Sequence, residues 1–335
     1  MKLILDCFGG DKGCAPSIEA AKKAVGQYPD LSFVLVGDEE KIRAELKEET
    51  KRIEIVHAPD TVTGNDKPTD AIRLKRESSM IKAIKILRED ESADGLISTG
   101  PTGVLIAAAT LRIGRIDGVR RPAFCPILPT MKGGIVGICD SGANVECSPE
   151  MLLQFAVMGS EYLKAAFHIA SPRVALLNVG TEEEKGDDLH REAYKLLKNA
   201  DGIHFVGNME SRDLLSGNYD LVVCDGFSGN VLVKTTEGTA LELLKKIKKD
   251  IYSRGIYKLG ALFMKKMFEE EKRFMNYQNY GGSVLLGTEK IIVKGHGSSD
   301  ATAVYKCIEQ ARAMSGSNLN EKIQQHLASE EATNV

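Results

Sequence analysis

Four stretches of the chain share one design: an apolar run, then small or polar residues, then the start of a helix. They are Asp6-Cys7-Phe8-Gly9-Gly10-Asp11, Ser98-Thr99-Gly100-Pro101-Thr102-Gly103, Asp225-Gly226-Phe227-Ser228-Gly229-Asn230 and Gly295-His296-Gly297-Ser298-Ser299-Asp300. Unpaired N–H groups and the positive end of the dipole at a helix start suit an anion. His296 beside Ser298 and Ser299 is the best placed group for an oxyanion of phosphate type. Asp225, Asn230 and Lys234 add polar groups to the third loop, although Asp225 and Asn230 also suit a plain turn and cap. A charged loop, Asn178-Val179-Gly180-Thr181-Glu182-Glu183-Glu184-Lys185-Gly186, follows another apolar run. Lys185 in it can meet phosphate or a developing oxyanion, and such runs also serve as solvated surface. Asn208 ends a further apolar run in the same way.

These groups need strands ending together, and the pattern supplies them. Leu3-Ile4-Leu5, Phe33-Val34-Leu35-Val36, Ile53-Glu54-Ile55-Val56, Leu96-Ile97 and Leu221-Val222-Val223-Cys224 are short apolar runs, as in buried parallel strands. Helical patterns separate them, over 17–25, 39–50, 71–88 and 104–111, with a long one at 149–167 and another at 190–198. This alternation predicts a parallel sheet with helices on its faces. Residues 122–130 and 134–139 read as a hairpin, and 283–287 and 290–294 as late strands. A helix is expected from about Gly229-Asn230, and the last core helix over 301–314, with a polar tail from Ser315 whose end frays. Ligands of such sheets sit where strands end and helices begin.

Composition narrows the function. Forty-four basic and 47 acidic side chains leave a net charge of −3, which disfavours nucleic-acid binding as the main task. The seven cysteines are scattered with no CxxC pair, so a reducing cytoplasm, no disulfide framework and no zinc site are expected. The chain opens directly into a strand, so no signal peptide is expected, and no apolar run has transmembrane length. No GxGxxG, Walker, GxSxG, HExxH or EF-hand pattern occurs, so neither a dinucleotide, a serine triad nor a metal is indicated.

Taken in order, the loops resemble the phosphate acyltransferases of bacterial phospholipid synthesis, the PlsX family. The resemblance runs from Leu5 to about Met314. It is carried by Asp6–Asp11, Gly100–Gly103, Gly114-Arg115-Ile116, Arg121-Pro122, Leu128-Pro129-Thr130, Asp140-Ser141-Gly142-Ala143-Asn144, Gln154–Gly159, Cys224–Val231 and His296–Asp300. Cys7-Phe8 stands where the family has Ala-Met, and Pro101 where it has Asn, which alters the contacts of the second loop. The resemblance implies an α/β three-layer sandwich with a mostly parallel sheet, similar to isocitrate dehydrogenase and phosphotransacetylase. It implies transfer of a long acyl chain from acyl carrier protein to inorganic phosphate, without a cofactor. It further implies a homodimer that works with a membrane glycerol-3-phosphate acyltransferase. Lys185, Asn230 and His296 are then the expected catalytic residues. Asp6, Gly9, Gly10, Asp11, Ser98, Gly100, Thr102, Gly103, Asn178, Asn208, Asp225, Gly229, Lys234, Gly297, Ser298 and Ser299 are the expected contacts to phosphate and thioester.

Other readings of the same residues stay open: a phosphotransacetylase using acyl-CoA, a nicotinamide-linked dehydrogenase of the related fold, or a scaffold for acyl carrier protein. Arg112, Arg115, Arg120 and Arg121 are a basic cluster that suits either an acidic carrier protein or local carboxylates. The whole chain, 1–335, is expected to be one two-lobed catalytic domain with an amphipathic helical segment protruding at about 251–275. On a wheel Ile256, Leu259, Gly260, Phe263, Met264 and Met267 share a face that Leu262 and Phe268 widen, with Lys258, Lys265 and Glu269 opposite. That stripe suits either a dimer partner or reversible contact with a membrane surface by an otherwise cytoplasmic protein.

Overall fold

The structure, a computed structural model, describes residues 1–47, 51–253, 257, 261, 263–274 and 280–333. In chain order the elements are β1 (Lys2–Asp6), α1 (Ala15–Gln27), β2 (Ser32–Gly37), α2 (Glu39–Leu46), β3 (Ile53–His57), α3 (Pro68–Leu74), α4 (Ser79–Glu89), β4 (Ala93–Ser98), α5 (Thr102–Arg112), β5 (Ala123–Cys125), β6 (Ile127–Pro129), β7 (Ile135–Cys139) and α6 (Pro149–Phe167). They continue with β8 (Arg173–Asn178), α7 (Asp188–Asn199), β9 (His204–Glu210), β10 (Leu221–Val223), α8 (Gly226–Ser253), α9 (Lys265–Phe274), β11 (Ser283–Leu286), β12 (Ile291–Lys294), α10 (Ala301–Ser315) and α11 (Leu319–Thr333).

Among the described residues two sheets form. The larger has seven strands in the order β3-β2-β1-β4-β12-β11-β5, parallel from β3 to β12 and antiparallel across β11. Strand faces alternate as the pleat requires. Leu3 and Leu5 of β1 join one core with α1 and α10, while Ile4 joins another with α4 and α5. Helices thus cover both faces, the three-layer α/β sandwich with a mostly parallel sheet. The second sheet, β6-β7-β10-β8-β9, is parallel except for β6.

Two features lock the sheets together. Only Pro126 separates β5 of the large sheet from β6 of the small one. Helix α6 packs on β7 and β10 and also on β11, and residues 152–163 of it are buried on every side. Ser148 caps it by accepting from the Met151 N–H, with Pro149 in its first turn.

Several sequence expectations need correction. The expected hairpin is β6 with β7, whereas Ala123–Cys125 belongs to the other sheet. The single helix expected over 71–88 is two, because Ser78 carries an extended backbone where α4 starts and bridges to Asp60. Helix α8 begins at Gly226, a turn before the expected Gly229-Asn230, with the Asp225 carboxylate accepting from the Ser228 N–H at 2.9 Å. The tail from Ser315, expected only as polar chain, is helical over most of its length. It folds into α11, which buries Leu319, Ile323 and Leu327 at helical spacing. The stripe at 256–275 falls partly outside the described residues, including Ile256, Lys258, Leu259, Gly260, Leu262 and Met275.

Candidate functional site

Each sheet ends in a buried aspartate that ties its loops. Asp6, at the end of β1, accepts from the hydroxyls of Ser79 and Ser98, both at 2.6 Å, and from the Phe8 N–H. This joins the ends of β1 and β4 to the start of α4. The N–H of Asp11 donates to Gly297 O at 2.8 Å, and that of Gly295 to Ser98 O at 2.9 Å, so the β12 loop is sewn on as well. The packing requires glycine at position 9, where a Cβ would stand 2.5 Å from Asp6 Oδ2 and 2.6 Å from Gly100 N. Asp140, after β7, plays the same part in the small sheet. Its carboxylate accepts from the N–H groups of Phe124, Ala143 and Asn144 and from the Asn144 amide. A Cβ on Gly229 would lie 1.9 Å from Asp140 O, so α8 can approach this turn only as glycine. Burial raises the pKa of both carboxyls, against their hydrogen bonds.

Between these two edges lies a cavity of about 350 Å³. The large sheet contributes Thr102, Gly103, Phe124, Lys294, Gly295, His296, Ser299 and Ala303. The small sheet contributes Ile127, Leu128, Ser141, Gly142 and one face of α8, Asn230, Val233, Lys234 and Glu237. The wall is therefore cationic and hydrogen-bonding on one part, apolar on another. His296 Nδ1 and Ser298 Oγ are 2.8 Å apart, which orients the ring. Desolvation, then Lys294 and Lys234, push the His296 pKa below its ordinary value, so the imidazole is neutral at pH 7. Burial lowers the Lys294 ammonium to about 8 and raises the Glu237 carboxyl to about 7.

The expected site residues fall into three places. Thr102, Gly103, Asn230, Lys234, His296 and Ser299 line the cavity together. Asp6, Gly9, Gly10, Asp11, Ser98, Gly100, Gly297 and Ser298 build the loops beside it, and Asp225 and Gly229 start α8. Asn178, Asn208 and Lys185 stand elsewhere, at the end of the small sheet. Asn178 donates to Lys185 O at 3.1 Å and Asn208 to Glu182 O at 2.7 Å, so two buried amides pin the loop whose Lys185 side chain is exposed. A second cavity of about 510 Å³ there is lined by Asn178, Gly186, His190, Ser211 and Ser228. Ser228 and Asn230, two residues apart, face the two cavities, so the Asp225–Asn230 turn is their shared wall.

Sequence reasoning missed Lys294 and Glu237 as cavity residues, and Asp140 as a hub. A lysine closing an apolar strand two residues before His296 was the available signal for the first. The spacing of seven from Asn230 was the signal for the second. Three of the four clustered arginines are held within the chain: Arg112 on Ile72 O at 3.2 Å, Arg115 on Arg120 O, and Arg120 beside Glu150 at 3.4 Å.

The chain is 43% identical over 327 residues to the phosphate acyltransferase of Shouchella clausii, covering 98% of each. It is 45% identical over 314 residues to that of Halalkalibacterium halodurans, covering 94% of this chain and 93% of the relative. Among solved structures, a phosphotransacetylase from Streptococcus pyogenes superposes with a TM-score of 0.61 at 15% identity, covering 94% of both chains. A branched-chain phosphotransacylase from Enterococcus faecalis V583 gives 0.59 at 14% identity, covering 94% of this chain and 99% of the other. These two share the fold. With the model of the fatty acid synthesis protein family matching residues 1–322, and relatives this similar along nearly its full length, the chain belongs to that family.

Proposed function

We propose that the chain is an acyltransferase that moves a long-chain acyl group from acyl-[acyl carrier protein] to inorganic phosphate, giving acyl phosphate for phospholipid synthesis. The observation that carries this is the cavity between the sheets. It is lined by His296, Ser299, Lys234 and Asn230 and also by Phe124, Ile127, Leu128 and Val233. The first group suits a phosphate, the second the first methylenes of an acyl chain.

The chemistry asks little more. A thioester already carries a good leaving group, a thiol with an unperturbed pKa of about 8.5. Hydrogen phosphate attacks the carbonyl carbon, the C–S bond breaks, and the proton lost by phosphate ends on the sulfur. No covalent enzyme intermediate is needed. A neutral His296 can take that proton and return it to the departing sulfur. Asn230 and the N–H groups around the α8 start can stabilise the oxyanion. Lys185 is exposed outside this cavity, on the loop pinned by Asn178 and Asn208, and in our reading it reaches the oxyanion only if that loop moves toward the turn.

The long helix α8 supports a homodimer and a surface role. Beyond Leu232 none of its side chains is buried, and Leu241, Leu243 and Ile247 are exposed. Phe263, Met264 and Met267 are exposed beyond it. In our reading the chain is one catalytic unit whose segment at 251–275 protrudes. It pairs with a second copy, stays cytoplasmic, touches the membrane reversibly and passes product to a membrane glycerol-3-phosphate acyltransferase. No helix among the described residues is long and apolar enough to cross a membrane.

The test is to incubate purified protein with phosphate and either acyl-[acyl carrier protein] or acyl-CoA, and trap acyl phosphate with hydroxylamine. Hydroxamate from the carrier-protein thioester is expected. Product from acyl-CoA alone makes it a phosphotransacetylase, and no product with either leaves a scaffold.

A further inference from the structure

Lys294 closes β12, and its side chain reaches the cavity next to His296. It is a lysine in an unusual setting. Its ammonium donates to two main-chain carbonyls, Thr99 O at 3.4 Å and Gly295 O. Among the described residues no carboxylate lies within ion-pair distance of it. Asp6 and Asp11 act on it only through space, and Asp6 is already engaged by Ser79, Ser98 and Phe8. A half-buried ammonium without a counter-ion is costly to keep, because carbonyl dipoles replace hydration but do not neutralise charge. The cost is offset when a ligand brings the missing negative charge.

The surroundings say what kind of ligand. Ser299, buried, and Thr102 offer hydroxyls, His296 a ring, and Lys234 a second cation, all on the same cavity. Loop N–H groups at the starts of α5 and α10 flank it. This is a set of donors around a compact, multiply charged anion. We propose that Lys294 is the half-buried cation that binds the anionic nucleophile, inorganic phosphate, and neutralises the charge that otherwise opposes its attack. The assignment rests on the acyl-transfer reading above and adds to it a residue with a separate readout.

The readout is pH. The groups facing Lys294 are Asp6 and Asp11 from the β1 loop, Cys307 from α10, His296 from its own loop, and Lys234 and Glu237 from α8. Of these, Glu237 ionises at about 7 and gains a negative charge in the cavity, while Lys294 loses its positive charge above about 8. The lower step mixes Glu237 with the second ionisation of phosphate itself, whereas loss of the Lys294 charge weakens phosphate binding in an upper step. Only the upper step belongs to Lys294.

The experiment compares wild type, Lys294→Met and Lys294→Arg. It measures KM for phosphate and for the acyl thioester from about pH 6 to 10, with folding checked by circular dichroism. Lys294→Met is expected to raise the phosphate KM tenfold or more, with the thioester KM within about twofold, and to lose the upper step. Lys294→Arg, always charged, is expected to keep phosphate binding within a few-fold and also to lose the upper step. A purely structural tether to two carbonyls predicts neither change. A folded Lys294→Met with the wild-type phosphate KM and both steps overturns the assignment. If Lys294→Met does not fold, the Arg variant decides alone: an upper step that persists in it overturns the assignment. A wild type that forms no acyl phosphate overturns this inference and the acyl-transfer reading together, whereas an active wild type with an unaffected Lys294→Met overturns this inference only.

Discussion

At the scale of single residues, the two kinds of site group differ in how they can be read. His296, Ser299 and Asn230 were legible because they sit directly after apolar runs, where an open α/β sheet must place its ligand. Glu237 and Lys294 were not, since their significance comes from burial, and burial of a charge is decided by packing between sheets that are distant in sequence. Lys185 is the reverse case. It was legible as a charged loop behind a strand, and it lies on the far side of the α8 start from His296. If it stabilises the oxyanion across that turn, Lys185→Ala lowers kcat about a hundredfold or more with little change in KM. A folded variant with wild-type kcat removes Lys185 from the chemistry and leaves it a surface residue.

At the scale of elements, alternation of strand and helix was enough to foresee the parallel sheet, because each buried strand advertises itself as an apolar run. It could not foresee that Ala123–Cys125 and Ile127–Pro129 part company at Pro126, since both are equally apolar. Nor did a polar tail suggest α11, whose three buried residues are spread thinly among charges. That helix is docked by His326, whose ring lies 3.3 Å from Glu161 Oε1 and 2.9 Å from Asp201 O. The hydrogen bond to His326 is the largest cause holding the Glu161 carboxyl at about 2, and the same bond raises the His326 pKa. The Glu161 contribution is present above its ordinary 4.5 and lost as pH falls toward 2, while that of His326 is present below its ordinary 6.5 and lost as pH rises through its raised value. Docking is therefore strongest between about pH 4.5 and 6.5. His326→Ala should lower Tm by about 2 °C or more at pH 6 and by clearly less at pH 9. Ile323→Ala, an apolar loss, should cost about 2–5 kcal/mol at both. Equal effects of His326→Ala at the two pH values exclude the ion pair as the cause.

At the scale of the molecule, α8 joins the cavity to the outside. Its first turns are fixed against Asp140 through Gly226 and Gly229, and beyond Leu232 none of its side chains is buried. If a second copy covers the exposed side chains, Leu241→Glu with Ile247→Glu shifts sedimentation from dimer to monomer at micromolar concentration. Replacing Phe263 and Met267 with Glu should instead weaken binding to anionic liposomes and leave the dimer intact. Loss of the dimer from the second pair assigns that stripe to the subunit contact, and unchanged behaviour in both pairs rejects both surfaces.

The length of α8 sets a problem of distance. Twenty-eight residues of helix span about 42 Å. A lipid acyl chain fills one leaflet, about half of a hydrocarbon core some 30 Å thick. If the far end of this rod rests on a bilayer and the rod stands upright, an acyl phosphate held beside its Asn230–Glu237 face is still about two chain lengths from the nearest lipid tail. The product then cannot slide from cavity to leaflet while either end is still held. Handover requires the rod to lie along the membrane and bring the cavity mouth down, or the product to leave into water and find its next enzyme by diffusion. The tilt of one helix decides whether a water-labile anhydride is delivered directly or released.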